Sequence, residues 1–296
     1  MWFNNLKIYQ LSDQFSITEK ELESSLSQSI FKPCGQLQMN SIGWIEPIPR
    51  IGKTLTHTIQ NKIMICANIE DKILPAAVVN EFLNDKIIEI EDETGHKPGR
   101  RQKTELKEEI IHSLLPRAFS KNKRTYAYFD LDHQLLIVNS ASAAKAEEFI
   151  EFLRKTIGSL PVTPITQEKP VKDAMTTWLS TQEIPMQLTI GQSCVLSNPK
   201  EDGGSIRCSK QELLSEEIQS HLKSGMQITK LALTWADKIN FVLSEDFSLK
   251  QIKFTDLVLD TLDDSYDDIA TQFDADFNLM SAEFSQFVPY LQKLFT

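Results

Sequence analysis

The stretch Gln227 to Phe254 constrains the fold most. Thr229, Leu231, Leu233 and Trp235 alternate with polar or small residues, and Ile239, Phe241 and Leu243 repeat the alternation after a short turn. A period of two sends these side chains to one face of a pleated sheet, so the stretch predicts an antiparallel meander with one buried face. Other segments carry a helical period instead. Val79, Phe82, Leu83, Ile87 and Ile90 form one apolar stripe; Leu106, Ile110, Ile111, Leu114 and Leu115 form a second. Ala146, Phe149 and Leu153 mark another helix, and Phe273, Phe277, Phe284, Phe287 and Leu291 mark an amphipathic helix at the end. The expectation is an α+β chain of mixed-sheet lobes with a helical arm.

Local signals place the other elements. Thr18 followed by Glu21 is a capping box and predicts a helix over 18–30. Phe31 to Arg50, rich in Gly and Pro, reads as a loop anchored by Trp44. Thr54 to Ile69 reads as a hairpin turning at Asn61-Lys62. Pro75 opens the first helix of the arm, Gly95, Pro98 and Gly99 break it, and the second helix runs from Glu105 to Leu115. Tyr126–Asp130 and Gln134–Asn139 form a further hairpin, followed by a helix from Ser142 capped by Gly158. Strands near 187–196 and 204–208 join through an Asp202-Gly203-Gly204 turn. Ser159 to Pro170 holds three prolines and marks the division expected for 296 residues. The domains predicted are 1–165, with a helical hairpin inserted at about 75–119, and 166–296.

Charge is distributed unevenly. Lys97, Arg100, Arg101, Lys103, Lys107, Arg117, Lys121, Lys123 and Arg124 fall within 28 residues, against Glu105, Glu108 and Glu109. That run sums to +6 in a chain of net charge −10, so the remainder sums to −16. A local excess of this kind is the footprint of a polyanion site, and a screening length of about 10 Å keeps distant acids from cancelling it. Lys and Arg also gather on solvated faces for solubility alone.

Several classes are disfavoured. There is no apolar run of membrane-spanning length, and the start MWFNNLKIYQLSDQF lacks the basic and apolar regions of a signal peptide. Cys34, Cys66, Cys194 and Cys208 form no CxxC pair and predict reduced thiols in a cytoplasm. Gly52-Lys53-Thr54 ends like a phosphate loop, but Pro47 occupies the position of the first glycine. His57, His96, His112, His133 and His221 have no metal-ligand spacing, and no GxSxG elbow is present. Tyr126, Tyr128 and Phe129 follow Arg124 and suit either base stacking or a packed sheet, with the sheet favoured. Asp263, Asp264, Asp267, Asp268, Asp274 and Asp276 invite a metal-dependent nuclease. They lie in one local run without EF-hand spacing, so a solvated acidic segment is favoured.

The string HSLLPRAFS (His112–Ser120) resembles the RdgC family of recombination-associated, nucleoid DNA-binding proteins. So do MWFNNLKIYQLS, FKPCG (Phe31–Gly35), KILP (Lys72–Pro75), ASAAKAEE (Ala141–Glu148) and LRKTIGSLPVTP (Leu153–Pro164). EDGGSIRCSKQELLSEEI (Glu201–Ile218), TKLALTW (Thr229–Trp235) and QFDADFNLM (Gln272–Met280) continue the match in order. The resemblance implies a two-fold ring-shaped dimer that encircles DNA, binds double and single strands without sequence preference, and restrains recombinase-dependent recombination by competing on DNA. It implies no enzymatic activity, no cofactor, no membrane and a cytoplasmic, nucleoid location. Phe119 matches a phenylalanine at one subunit contact, Lys210 and Gln211 match a pair at the other, and Lys72 aligns through KILP. The chain departs from the family at Lys97-Pro-Gly-Arg-Arg101, where a longer lysine-bearing helix is expected, and at Met226, where a basic residue is expected.

The expected DNA-binding residues are Lys72, Lys97, Arg100, Arg101, Lys103, Arg117, Lys121, Lys123 and Arg124. The expected dimer contacts are Phe119, Lys210 and Gln211. The alternatives are a metal-dependent exonuclease using the aspartate cluster, and an interaction module whose acidic surface meets a recombinase.

Overall fold

The computed structural model of the chain describes all residues except 49, 166, 201–202, 263–267 and 296. Asp202, Asp263, Asp264 and Asp267 therefore lie outside the described residues. The first half contains β1 (Lys7–Leu11), α1 (Glu19–Leu26), β2 (Asn40–Ile45), β3 (Thr56–Ile59) and β4 (Lys62–Ile73). It continues through α2 (Ala76–Thr94), α3 (Arg100–Leu114), β5 (Phe119–Asp130), β6 (Leu135–Val138), α4 (Ala143–Ile157) and β7 (Val162–Pro164). The second half contains α5 (Val171–Thr181), β8 (Leu188–Ser197), β9 (Ser205–Ser209) and α6 (Glu216–Lys223). The meander β10 (Gln227–Trp235), β11 (Ile239–Ser244) and β12 (Leu249–Phe254) follows, then α7 (Asp256–Leu259) and α8 (Ile269–Leu294).

The architecture is α+β with two antiparallel sheets. One has the order β2-β4-β5-β6-β1-β7 with β3 also on β4; the other has the order β12-β11-β10-β8-β9. Mixed sheets were expected. Tight turns join β3 to β4, β5 to β6, β10 to β11 and β11 to β12, and a short turn can join only antiparallel neighbours.

The chain forms two compact units, each built from separated segments. Unit 1 is Met1–Ser25, Glu46–Ile65 and Tyr126–Thr296; unit 2 is Leu26–Ile45 and Cys66–Thr125. Position 165 lies inside unit 1.

Unit 1 is organised by α8. Phe277 packs edge-on to Tyr128 of β5, with ring centroids 5.6 Å apart. Phe287 meets Trp235 of β10 and Phe241 of β11 at 5.2 and 4.8 Å, and Phe284 meets Phe254 of β12. One amphipathic stripe thus touches strands of both sheets, and each buried Phe contributes about 1.5–3 kcal/mol. Buried Asp130 fixes the register of this packing. Its carboxylate accepts from Ser285 Oγ at 3.0 Å and lies 3.0 Å from His133 Nδ1 in the β5–β6 turn. Asp268 caps the start of α8 by accepting from the Thr271 N–H at 2.8 Å.

The capping box at α1 forms as expected. Thr18 N–H donates to Glu21 at 2.9 Å, and Glu21 N–H donates back to Thr18 Oγ1 at 3.3 Å.

Three boundaries differ from expectation. The supposed loop 31–50 contains strand β2, whose Trp44 is buried. Gly43, which suggested a loop, is a close-approach glycine: a Cβ there would come within 2.2 Å of Phe31 Cα. Helix α3 begins at Arg100, about one turn before the expected start, with extended Gly99 at its N-cap. Strand β5 begins at Phe119, so Lys121 to Arg124 are strand residues.

Candidate nucleic-acid interface

Every expected DNA-binding residue falls in unit 2. Helices α2 and α3 pack as a hairpin, with Gly95 in the left-handed conformation (φ 72°) ending α2. Arg100, Lys103, Thr104 and Lys107 follow at i, i+3, i+4 and i+7, which puts them on one face of α3. With Leu83 of α2 they line a groove of about 590 Å³. Among the described residues, no carboxylate lies within 4.0 Å of the Arg100, Lys103 or Lys107 cationic nitrogens. Lys97 and Arg101 are paired, to Glu91 at 3.8 Å and to Glu105 at 3.0 Å, yet both remain exposed.

The position of these charges on the helix is electrostatically costly. The first turn of α3 contains Arg100, Arg101 and Lys103 and no acid. Its N-terminus already carries the positive end of the helix dipole, where carboxylates are favoured and cations are not. Helix α4 follows the favourable rule, with Arg154 and Lys155 in its last turn. A bound anion would relieve the conflict at α3, because free N–H groups and cations converge there.

Lys121, Lys123 and Arg124 are exposed on β5. Strand alternation puts Phe119, Lys121 and Lys123 on one face and Ser120, Asn122 and Arg124 on the other. On that second side, Asn122 accepts from Asn68 at 2.7 Å. Ser120 and the Cys34 N–H hold Glu70, lowering its pKa below the usual carboxylate range. Lys72 points its ammonium at the Leu115 carbonyl at 2.8 Å, so it also secures the end of the α3 region. Arg117 is exposed in the short turn between α3 and β5. Phe119 is 84% exposed.

Lys210 and Gln211 belong to unit 1 and are exposed. Lys210 adopts a left-handed φ of 56°, and the Gln211 N–H donates to the Gln192 carbonyl at 3.2 Å, which pins this turn to β8. Lys107 completes the α3 face but was not among the expected contacts; its i+7 spacing from Arg100 was the available signal. The aromatic trio Tyr126, Tyr128 and Phe129 is buried in the sheet.

The described members of the aspartate run have separate structural partners. Asp268 caps α8, Asp274 Oδ1 lies 3.0 Å from His57 Nε2, and Asp276 pairs with the Met1 amine. Burial lowers the His57 pKa against the opposing effect of Asp274. Among the described residues, no three His, Cys, Asp or Glu side chains are grouped to hold a metal ion. No helix among them is long and apolar enough to cross a membrane.

The family model described as "Putative exonuclease, RdgC" matches residues 1–296. A Proteus mirabilis protein named "Recombination-associated protein RdgC" is 43% identical over 289 residues, covering 97% of this chain and 96% of its own. Proteins of the same name from Aeromonas hydrophila and Yersinia pestis are 41% and 42% identical over 292 residues, each match covering 98% of this chain and 96% of the relative. These relatives' names describe recombination and no enzymatic activity.

Proposed function

The chain belongs to the RdgC family, and from that premise we propose that it is a non-enzymatic protein that binds nucleic acid without reading sequence. The observation that carries this is the acid-free, cation-bearing first turn of α3, together with the exposed cations Lys121, Lys123 and Arg124 of β5, in an acidic protein. Phosphate contacts position a protein on DNA without specifying bases, as expected of Arg and Lys on exposed faces. Lys97, Arg100, Arg101, Lys103, Arg117, Lys121, Lys123 and Arg124 supply the contacts. Lys72 supports them from its bond to Leu115.

Two copies of the chain close around DNA as a two-fold ring. Phe119 anchors one contact, where a large exposed aromatic ring suits a subunit interface, and Lys210 and Gln211 form the other. A closed two-fold ring needs two self-complementary contacts. Encirclement occupies double or single strands in the nucleoid and restrains recombination by denying a recombinase its DNA.

Retention on circular and linear plasmid tests this proposal. After a high-salt wash, the protein should remain on circles and leave linear DNA through the ends. Phe119→Ser should weaken self-association and release protein from circles too. Equal release from circles and lines would remove encirclement.

A further inference from the structure

The five-stranded sheet of unit 1 ends at β9, whose strand neighbour among the described residues is β8 alone. The register of that pair brings two cysteines together. Cys194 of β8 lies directly opposite Cys208 of β9, and the rung continues through Leu231 of β10 to Leu243 of β11. Directly opposite residues share a face. Phe241, two residues before Leu243, packs on Phe287 of α8, so the rung emerges on the covered side of the sheet. Both cysteines are buried and both are free thiols.

The two thiols meet. Burial pushes the Cys194 pKa up to about 12, and the charge and hydrogen bond of the neighbouring Cys208 sulfur add to the rise. Among the described residues, no third His, Cys, Asp or Glu joins the pair, so the ligand set of a metal–thiolate centre is missing. Two small apolar side chains would fill this rung as well as two thiols do. What the thiols add is the capacity to join. Cys34, by contrast, is half-buried and directs its thiol to the Glu70 carbonyl at 3.5 Å.

The backbone suits such a bond. Opposite Cα atoms of an antiparallel pair stand about 4.5–5.5 Å apart, inside the span of about 4.4–6.8 Å that a disulfide bridges. The Cβ atoms, about 4.5–5.5 Å apart across a rung, have to close to about 3.5–4.5 Å. An edge strand can move that far without tearing a second ladder.

The rung also stands at the base of a turn. Lys210, two residues after Cys208, holds a left-handed φ of 56°, and the Gln211 N–H donates to the carbonyl of Gln192, two residues before Cys194, at 3.2 Å. A bond between residues 194 and 208 closes a loop of fifteen residues. Closing such a loop removes open conformations of the segment.

We infer that Cys194 and Cys208 form a dithiol–disulfide site that reacts with a low-molecular-weight disulfide, and that closing it fastens the turn carrying Lys210 and Gln211. Cys208, on the edge strand, gives up its proton and attacks one sulfur of the reagent RS–SR. The reagent's S–S bond breaks, a mixed disulfide forms on Cys208, and RS⁻ leaves with the bonding electrons. Cys194 then gives up its proton and attacks the Cys208 sulfur. The Cys194–Cys208 bond forms and a second RS⁻ leaves. The two protons end on two RSH, so the protein loses two electrons and the reagent gains them. Because the attacking species is the thiolate, the tightly held proton of Cys194 makes the closing step faster as pH rises.

The test incubates the full chain with oxidised glutathione and maps its peptides by mass spectrometry without reduction. The expected product is a Cys194–Cys208 cross-linked peptide that forms faster at higher pH and is lost on adding dithiothreitol. Amide exchange at Gln211 should slow by about 10- to 100-fold in the oxidised protein. Cys208→Ala treated in the same way should show no such slowing. The comparison of oxidised with reduced parent protein needs no variant, so it stands even if Cys208→Ala is destabilised.

Thiols that stay unreacted, glutathione adducts on either cysteine without the internal bond, or a bond between two copies of the chain would each overturn the inference. So would an internal bond that leaves Gln211 exchange at its reduced rate. The inference is independent of the nucleic-acid function proposed above.

Discussion

Units 1 and 2 solve opposite problems. Unit 2 holds twelve Lys and Arg against eleven Asp and Glu, a net +1, whereas unit 1 carries −11. Unit 1 buries aromatic rings along the whole of α8. In unit 2 the buried apolar side chains are Leu26, Trp44, Cys66, Ala67, Val79 and Leu115. Nine large apolar residues of unit 2 are exposed, against five among the described residues of the much larger unit 1. The two-helix hairpin explains part of this difference. Helices α2 and α3 pack on each other, but a pair of helices has no third layer to exclude water; only Val79 is buried along them, and Phe82 of the α2 stripe stays exposed. Unit 1 is built as a core, whereas unit 2 is built as a surface.

Breaking the core should have the largest effect. Phe287→Ala removes the ring that touches Trp235 and Phe241 and should cost about 3–5 kcal/mol in denaturant unfolding. Phe82→Ala, on the 49%-exposed side of α2, should stay within about 0.5 kcal/mol. Similar destabilisation at both sites would erase the distinction between the units.

The surface character of unit 2 should appear in binding. Arg100→Gln, Lys103→Gln and Lys107→Gln together should make the slope of log K against log salt for duplex binding shallower by about 2.7 and leave unfolding nearly unchanged. The same variant should also relieve repulsion at the start of α3, so a modest rise in Tm is expected. A fall in Tm with an unaltered slope would assign these cations to stability instead.

Smaller effects sharpen the account of unit 1. Thr18→Ala removes one side of the α1 capping box and should cost about 1 kcal/mol. Asp246 gives a pH signature. Partial burial works against its charge, yet hydrogen bonds from Lys7 and Ser248 bring its pKa to about 2, below the ordinary 3.8. A lowered carboxylate pKa adds stability above the unfolded value, and that stability disappears as pH falls through the folded value. The stability gap between the parent protein and Asp246→Asn should be constant above pH 3.8 and close toward pH 2. A gap independent of pH would show that ionisation of Asp246 is not the cause.

Much of this division was legible in the residues. The period of two over 227–254 became β10 to β12, the stripe Phe273 to Leu291 became α8, and Thr18 with Glu21 formed its box. The cationic run was visible as composition. Its detailed placement was not, because Gly99 permitted a helix start earlier than the expected Glu105, and sheet pairing drew Phe119 to Thr125 into β5. Strand β2 was hidden by Gly43, whose meaning depends on Phe31 passing over it. The thiol pair was hidden more deeply. Cys194 and Cys208 stand 14 residues apart in the chain, and only cross-strand register brings them opposite each other.

A salt titration on two duplexes of unrelated sequence reports on the use of positive charge in this acidic chain. The expected result is the same steep, linear fall of log K with log salt on both duplexes, with a slope of about −0.9 for each phosphate engaged. Affinity that holds through molar salt, or binding confined to one sequence, would contradict it.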